Sequence, residues 1–306
     1  MRPFPFFLAL SAGLALAACA VTSEGDRNPI QTKGRGADGL MAWPDLLERP
    51  RPQPSASLPY GQDPLQVVDL WLPSGEGPHP TVLMVHGGCW QSEIADRTIM
   101  NWIADDLRRR GIAVWNIDYR GVDRGGGYPG TFLDAAAAAD ALRTHAGRYR
   151  LDLSRLVATG HSAGGHLALW LAARPRLPQG SPLRTSDPIG IAEVVSLGGL
   201  PDLEAAARPP GSGCGTEVIA QISGGRLDET SVPRLAPLGL PQVLINGRQD
   251  RIIPNAYAEG YAAPMRAAGD SVRVRMLDRT GHVELIAPDS AAWAAAVEEI
   301  ERALGR

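Results

Sequence analysis

Ser162 is the first position in this sequence whose type and surroundings favour covalent chemistry. It lies in the pentapeptide GHSAG, residues 160–164, between a short apolar run and an apolar helical stretch. A sharp turn from strand to helix needs small neighbours, and it lifts the serine hydroxyl to where a substrate can meet it. The amide of Ala163 would then face the oxyanion that forms. The pattern predicts that Ser162 is a nucleophile, and the alternative is a chance match among common residues.

A serine nucleophile needs a base, and His282 is the histidine best placed to supply one. It lies in the segment TGHVE, residues 280–284, just after the last predicted strand. There it could take the serine proton and later return it to the leaving group. A supporting carboxylate should follow an earlier strand, and Asp250 comes soon after the strand predicted at residues 242–246. The alternative for His282 is a loop histidine without function.

Two other aspartates compete for the role of the supporting acid. Asp270 follows a predicted helix beside a glycine, where we expect it to be solvated. Asp278 is only four positions from His282, too close for a contact between two separate loops. Asp250 could itself be a solvated turn carboxylate, since aspartates are common in loops. Its place directly after a predicted strand, between Ser162 and His282 in the chain, nevertheless favours Asp250.

The sequence HGGCW, residues 86–90, ends another buried apolar run. Two adjacent glycines allow the backbone to turn its N–H groups toward a developing negative charge. We expect His86 to brace this loop by hydrogen bonds rather than to transfer protons. The alternative is an ordinary glycine turn with no part in the reaction.

Strand-like and helix-like segments alternate from residue 67 onward. Such alternation predicts an α/β fold with a mostly parallel central sheet, helices on both faces and ligands at the carboxyl ends of the strands. Residues 201–241 interrupt the alternation and predict a short lid, with a helix at residues 216–222. The apolar patterns predict strands at residues 67–72, 81–86, 112–118, 156–159, 192–197, 242–246 and 272–277, and helices at residues 99–109, 131–149, 163–173, 256–268 and 290–304.

The composition is that of a weakly acidic globular protein. The chain has 306 residues, 44% of them hydrophobic, and a formal net charge of -3. A nucleic-acid partner would require a basic surface, so we expect none. The cysteines are scattered, no histidine pair has ligand spacing on a helix, and no phosphate-binding glycine loop appears. We therefore expect neither a metal nor another cofactor, and the sequence does not indicate an oligomeric state.

The N-terminal segment resembles a bacterial lipoprotein signal. Its apolar run is shorter than the about 20 residues of a membrane span and ends in LAAC at residues 16–19. Cleavage before Cys19 and lipidation would anchor the exported protein to a membrane, facing the periplasm or the exterior. The alternatives are an ordinary signal peptide and an uncleaved anchor. We expect a signal peptide at residues 1–18, a tether and N-terminal arm at residues 19–60, and a catalytic domain at residues 61–306.

Together these motifs resemble the α/β-hydrolase superfamily, and within it the branch of kynurenine formamidases and small esterases related to hormone-sensitive lipase. The resemblance runs from about residue 67 to the C terminus, and it implies a cofactor-free esterase or amidase. Relatives of hormone-sensitive lipase often have glycine in place of Cys89 and an acidic residue in place of His161, so both positions favour the formamidase-like branch. The implied triad is Ser162, Asp250 and His282, and the implied oxyanion donors are Gly88, Cys89 and Ala163. The matching segments are HGGCWQ at residues 86–91, IDYRG at 117–121, GHSAGGHLA at 160–168 and GHVELI at 281–286.

A lipoprotein signal is unusual for a cytosolic enzyme of tryptophan breakdown, and it favours a general carboxylesterase. We therefore expect small-molecule esters as substrates, cleaved through an acyl-enzyme. One alternative is an arylformamidase or peptidase that cleaves C–N bonds of amide substrates. Another is a non-catalytic binding lipoprotein on a hydrolase scaffold, which the complete triad disfavours.

Two cysteines remain if Cys19 carries lipid, and we expect them to pair. Outside the cytosol thiols tend to form disulfides. Cys89 follows the glycines of the HGGCW segment, and Cys214 lies in the predicted lid. A disulfide between them would fasten the lid to the oxyanion loop. The alternative is two unpaired thiols, with Cys89 serving as a small residue in a tight turn.

Overall fold

Eight strands form one sheet in the computed structural model, which describes residues 39–208 and 211–306 together with Met1 and Pro3. Their order across the sheet is β1-β2-β4-β3-β5-β6-β7-β8. The contacts of β1 with β2 and of β2 with β4 are antiparallel, and all others are parallel, which confirms the predicted mostly parallel sheet. The strands are β1 (Ala56–Pro59), β2 (Val67–Trp71), β3 (His79–Val85), β4 (Ala113–Ile117), β5 (Leu151–His161), β6 (Glu193–Leu197), β7 (Gln242–Gly247) and β8 (Val272–Leu277).

Burial shows which strands form the centre of the sheet. Every residue of β4 and of β6 is buried. Because successive side chains point to opposite faces, both faces of the sheet are covered. In β1 half-buried and exposed residues alternate, as expected for a strand at the edge.

Helices connect the parallel strands and flank the sheet. The helix that follows β5 directly, α5, is buried along its whole length, so it fixes the residues at its start firmly. No described helix has the length and hydrophobicity that crossing a membrane requires. The helices of the described residues are α1 (Trp43–Leu47), α2 (Asn101–Arg109), α3 (Gly130–Asp140), α4 (Leu142–Tyr149), α5 (Ala163–Ala173), α6 (Leu203–Ala206), α7 (Thr216–Ser223), α8 (Leu227–Thr230), α9 (Ala256–Ala267) and α10 (Ala291–Leu304).

Two predicted elements differ from those in the structure. The single helix predicted at residues 131–149 is two helices, α3 and α4. Asp140 at the end of α3 binds the guanidinium of Arg174 and the amide of Ile189, contacts that the local sequence does not show. The strand predicted at residues 156–159 extends back to Leu151, because its polar first half pairs with the beginning of β3.

The predicted lid, residues 201–241, contains α6, α7, α8 and a 3-10 turn at Val232–Leu235. Helix α7 includes the helix predicted at residues 216–222. The buried carboxylate of Glu229 fastens the segment to the rest of the molecule by accepting hydrogen bonds from the hydroxyls of Tyr128, at 2.7 Å, and Ser181, at 2.8 Å. The middle of the segment is therefore hydrogen-bonded to other parts of the fold, in addition to the chain connections at its two ends.

Candidate active site

Ser162 lies at the turn between β5 and α5, where the sequence places it. Its backbone φ of 56° is a strained value for a residue with a side chain, and such strain persists only where the surroundings enforce it. The amide of Ser162 donates to the carbonyl of Leu197 in β6 at 2.8 Å. A Cβ atom on Gly164 would lie 2.2 Å from the carbonyl oxygen of Val85 at the end of β3. Packing against both neighbouring strands therefore requires the small residues of the motif.

His282 and Asp250 come from the loops after β8 and β7, and their side chains meet. The Nδ1 atom of His282 is 2.6 Å from Oδ2 of Asp250. The other carboxylate oxygen accepts the amides of Ile252, at 2.9 Å, and Ile253, at 2.8 Å. Because both oxygens act as acceptors, the proton of neutral His282 lies on Nδ1 and the lone pair on Nε2. The second nitrogen is thus ready to accept a proton.

The two competing aspartates contact other groups. Asp278 is paired with Arg248 at 2.8 Å, and its side chain is 79% exposed. Asp270 is buried rather than solvated, so that expectation is wrong. Its carboxylate accepts the amides of Leu238 and Gly239 at 2.9 and 2.8 Å, which pulls it into the turn before β7. Of the three aspartates, Asp250 is the one hydrogen-bonded to His282.

Gly198 is a residue of the candidate site that the sequence motifs do not predict. It follows β6 with a φ of 57°. A Cβ atom there would lie 3.3 Å from Oδ2 of Asp250 and 3.4 Å from Cε1 of His282. Glycine therefore leaves room for the histidine–aspartate pair. The adjacent glycines at the end of a predicted strand, in the segment SLGGL, are the signal that could have indicated it.

The loop after β3 contacts Ser162 directly. A Cβ atom on Gly87 would lie 3.1 Å from the Cβ atom of Ser162. Gly88 has a φ of 99°, and Cys89 and Trp90 have φ values of 52° and 54°. Within the described part of the chain, no acceptor bonds the amides of Gly88, Cys89 or Ala163. These donors are therefore available to a ligand beside Ser162.

His86 braces this loop by hydrogen bonds, as the sequence predicts. Its Nδ1 atom is 2.7 Å from the carbonyl oxygen of Gly87, and its Nε2 atom is 2.9 Å from Oδ1 of Asp118. The ring stacks on Tyr119 at 4.3 Å, and the Tyr119 hydroxyl donates to the carbonyl of His86. Arg97 in turn binds the carboxylate of Asp118 at 2.9 Å. A buried polar network thus fixes the base of the loop.

Cys89 and Cys214 form a disulfide in the structure. Their sulfur atoms are 2.07 Å apart and their Cα atoms 5.3 Å apart. The neighbouring amide of Gly213 donates to the carbonyl of Ile252 at 2.8 Å. Ile252 also donates to Asp250. The segment after β6 therefore contacts both the loop after β3 and the loop that carries Asp250.

The N-terminal arm also reaches the site. Trp43 of α1 packs edge-on against the rings of His161 and His282, with centroids 6.2 and 6.3 Å away. The amide of Met41 donates to one carboxylate oxygen of Glu284, and the other oxygen accepts the amide of Gly281 at 3.0 Å. The arm thus holds the turn that presents His282. The sequence predicts an arm here but gives no sign of this contact.

Two further histidines, His161 and His166, flank Ser162 in the sequence and are buried. Burial lowers the pKa of His161 well below its usual value, and the adjacent His282 lowers it further. Burial also lowers the pKa of His166 to about 4, although its Nε2 atom donates to the carbonyl of Thr230 at 2.8 Å. Both rings are therefore neutral at pH 7.

Two predictions concern a metal and a lipid. Among the described residues, no cluster of three or more histidine, cysteine, aspartate or glutamate side chains could hold a metal ion. Cys19, the predicted lipidation site, lies outside the described residues. Its modification therefore stays a prediction.

Comparison with protein families gives a match over most of the part of the chain that forms the sheet. The model of the family described as BD-FAE matches residues 68–261, more than half of the chain. The matched part includes Ser162 and Asp250 but ends before His282. The histidine is therefore supported by its contact with Asp250 rather than by the family model.

Curated relatives and solved structures agree with this match. Esterase LipC of Mycobacterium tuberculosis is 26% identical over 240 residues, 74% of this chain and 57% of that protein. "Probable isoprenylcysteine alpha-carbonyl methylesterase ICMEL1" of Arabidopsis thaliana is 25% identical over 251 residues, 76% of this chain and 52% of that protein. The chain thus spans little more than half the length of these curated relatives. Esterase B from Lactobacillus rhamnosis superimposes with a TM-score of 0.70 at 21% identity, covering 84% of this chain and 87% of that one, which shows the α/β-hydrolase fold.

Proposed function

The chain belongs to the BD-FAE family, and from that premise we propose that it hydrolyses small carboxylic esters through an acyl-enzyme. Ser162 is the nucleophile, His282 the base and Asp250 the supporting acid. The observation that carries the proposal is the 2.6 Å contact between Nδ1 of His282 and Asp250, on loops at the same end of the sheet as Ser162. Curated relatives named as an esterase and a methylesterase support the same chemistry.

The reaction begins when Ser162 attacks the carbonyl carbon and its hydroxyl proton moves to Nε2 of His282. Asp250 stabilises the resulting imidazolium through Nδ1–H. The carbonyl π electrons move to the oxygen, and the amides of Gly88, Cys89 and Ala163 bind that oxyanion. Collapse breaks the bond to the alcohol, which leaves with the proton from His282. Water then gives a proton to His282 and attacks the acyl-enzyme; the acid leaves, and Ser162 regains its hydrogen.

The burial of the site favours small substrates. Ser162 is 2% exposed and His282 is 6% exposed. A bulky acyl group could reach the hydroxyl only if the surrounding loops moved. We therefore assign short acyl esters as the preferred class. The same nucleophile could attack a formamide, which the two motif positions Cys89 and His161 favour.

The test compares wild type and Ser162→Ala with p-nitrophenyl esters of graded acyl length and with N-formylkynurenine. We expect fastest turnover of the shortest esters by the wild type, and a loss of about a million-fold in kcat with Ser162→Ala. Ser154→Ala changes an exposed serine in the same strand, and it should retain full activity. Near-normal activity of Ser162→Ala would refute the assignment. Turnover of the formamide alone would indicate an amidase, and turnover of neither substrate would indicate a binding protein.

We also propose that the protein is exported and lipid-anchored through Cys19. The segment LAAC at residues 16–19 supports this. So does the disulfide between Cys89 and Cys214, because such bonds form in oxidising compartments. In a bacterial host, Cys19→Ser should block processing or shift the protein from the membrane to the soluble fraction. A wild-type protein that is soluble and begins at another residue would show an ordinary signal peptide.

A further inference from the structure

His161 directly precedes Ser162 in the chain and packs against His282, and the proposed reaction gives it no role. Its side chain is fully buried. The Nε2 atom lies 3.1 Å from the carbonyl oxygen of His282, so it is the nitrogen that donates. The two imidazole rings are 4.3 Å apart between centroids. One side chain thus contacts both the backbone and the ring of the base.

The turn that carries His282 is held from three directions. Asp250 orients the ring through Nδ1. Glu284 accepts the amide of Gly281, which fixes the backbone just before the histidine. His161 donates to the carbonyl of His282, which fixes the backbone just after the ring. Without His161 that part of the turn loses a hydrogen bond inside the protein, where an unmade bond is costly and the backbone shifts to relieve it.

The surroundings of His161 suit a neutral ring with its proton on Nε2. A Cβ atom on Gly87 would lie 3.0 Å from Nδ1, and Nδ1 is buried without a hydrogen-bond partner. Trp43 covers another side of the ring. The titratable group that faces His161 is His282, which has Asp250 on its own Nδ1. A neutral neighbour matters because His282 becomes positively charged during the reaction, and a second charged ring at this distance would oppose that step.

We propose that His161 is a positioning residue for the base, holding His282 at the angle from which Nε2 takes the proton of Ser162. The hydrogen bond to the carbonyl of His282 performs this task, and the neutral ring performs it without opposing the charge that develops. This inference rests on the proposed serine-hydrolase function. It predicts that losing the donor slows the chemical step more than it weakens substrate binding.

The test measures kcat and KM for p-nitrophenyl acetate, with active enzyme counted by covalent labelling of Ser162 with a fluorophosphonate. His161→Leu fills the space but removes the donor. His161→Gln has an amide nitrogen the same number of bonds from Cα as Nε2. We expect His161→Leu to lower kcat per labelled site about 10- to 100-fold with KM within about threefold, and His161→Gln to restore most of the loss.

Two controls separate positioning from folding. His79 is a buried histidine at the beginning of β3, at the opposite end of the strand from the site, and His79→Leu should keep wild-type kcat per labelled site. His161→Asn, whose amide is one carbon too short, replaces the leucine variant if that variant does not fold, and it should show the same loss. Wild-type kcat in the variants without the donor, or equal losses with Gln and Leu, would overturn the inference. Both results require an active, labelled wild type, whereas failure of the proposed function would appear as a wild type without turnover or labelling.

Discussion

At the scale of single residues, the contacts of Asp250 explain why an aspartate is required there. One carboxylate oxygen accepts from His282, and the other accepts two backbone amides. Within the described residues, these three hydrogen-bond partners of the carboxylate are all donors. Such an environment suits a carboxylate, which only accepts hydrogen bonds, and disfavours a side chain that carries N–H or O–H donors.

The first prediction is that Asp250→Asn lowers kcat by about 10⁴-fold, the scale seen when a triad histidine loses its correct tautomer. An asparagine must turn its NH2 group either toward His282 or toward the amides of Ile252 and Ile253. Asp278→Asn is the matched control, since that carboxylate is largely exposed and paired with Arg248; it should stay within about twofold, as surface ion pairs contribute little. Steady-state kinetics with p-nitrophenyl acetate decides, and the reverse ranking would assign the acid to Asp278.

His166 gives a second prediction, on stability. Its pKa is lowered by burial from 6.5 to about 4 in the folded protein. Between these pH values, His166 is mostly protonated in the unfolded chain and mostly neutral in the folded protein. The free energy of unfolding should therefore fall by about 3 kcal/mol as the pH drops through this window, and His166 should have no further effect at lower pH.

Urea unfolding of wild type and His166→Leu at several pH values measures this effect. The variant should be less stable at pH 7 because it loses the hydrogen bond to Thr230, and its stability should depend less on pH between 6.5 and 4. Above pH 7 the two curves should run parallel. Identical slopes throughout the acidic range would contradict the prediction.

Residues with reactive side chains can be proposed from the sequence more readily than residues that only make room or contact. Ser162, Asp250 and His282 were predicted from their chemistry and from their places after strands, and the structure brings Asp250 and His282 into contact. Gly198 has no functional group, and its role appears only when β6 lies beside β7. Trp43 is more than a hundred positions from both histidines that it touches, and no local pattern can indicate such a contact.

At the scale of elements, the segment after β6 connects the loop after β3 with the loop that carries Asp250. Its disulfide holds the loop after β3, and the amide of Gly213 holds the loop with Asp250. The HGGCW loop has three consecutive residues with positive φ. A strained loop needs external support to keep its amides in one orientation, and the disulfide supplies a covalent one.

The third prediction is that Cys89→Ser combined with Cys214→Ser lowers the free energy of unfolding by about 2–4 kcal/mol, because the unfolded chain is no longer cross-linked. It should also lower kcat by about tenfold, since a looser oxyanion loop binds the transition state less well. Dithiothreitol should produce both effects in the wild type and neither in the double variant. Quantitative alkylation of both cysteines in the native protein without reductant would show that the bond does not form.

The hydrophobic pattern of the sequence predicted the elements with strong periodicity. It did not predict the features that depend on contacts between residues far apart in the chain. Strands β3, β4, β6 and β7 are apolar runs, and each was predicted within a few residues. The polar first half of β5 becomes a strand only because β3 lies beside it. The break between α3 and α4 coincides with the contact of Asp140 with Arg174, which an alanine-rich sequence does not reveal.

At the scale of the whole molecule, the N-terminal arm contacts two distant parts of the hydrolase unit. Trp43 and Met41 contact the turn around His282. Further along, the side chains of Trp102 and Asn101 in α2 donate to the carbonyls of Pro50 and Pro52, at 3.1 and 3.0 Å. The arm therefore connects the turn around His282 with α2. The sequence located the arm through its composition, but composition shows no partner.

The last prediction is that Trp43→Ala lowers both stability and kcat. The side chain is 8% exposed, so its loss should cost about 3–5 kcal/mol of unfolding free energy, as for other large buried aromatic residues. Because its ring contacts His161 and His282, kcat per labelled Ser162 should fall as well, at temperatures where the variant is fully folded. Trp43→Phe should lose much less, since the indole nitrogen has no hydrogen-bond partner.

Leu47→Ala, at the 39% exposed end of the same helix, provides the matched control and should leave kcat unchanged. Urea unfolding and kinetics with p-nitrophenyl acetate give the two readouts. If Trp43→Ala lost stability but kept full kcat, the arm would only cover the hydrolase unit. A loss of both, absent from the Leu47 variant, would mean that the arm takes part in aligning the base.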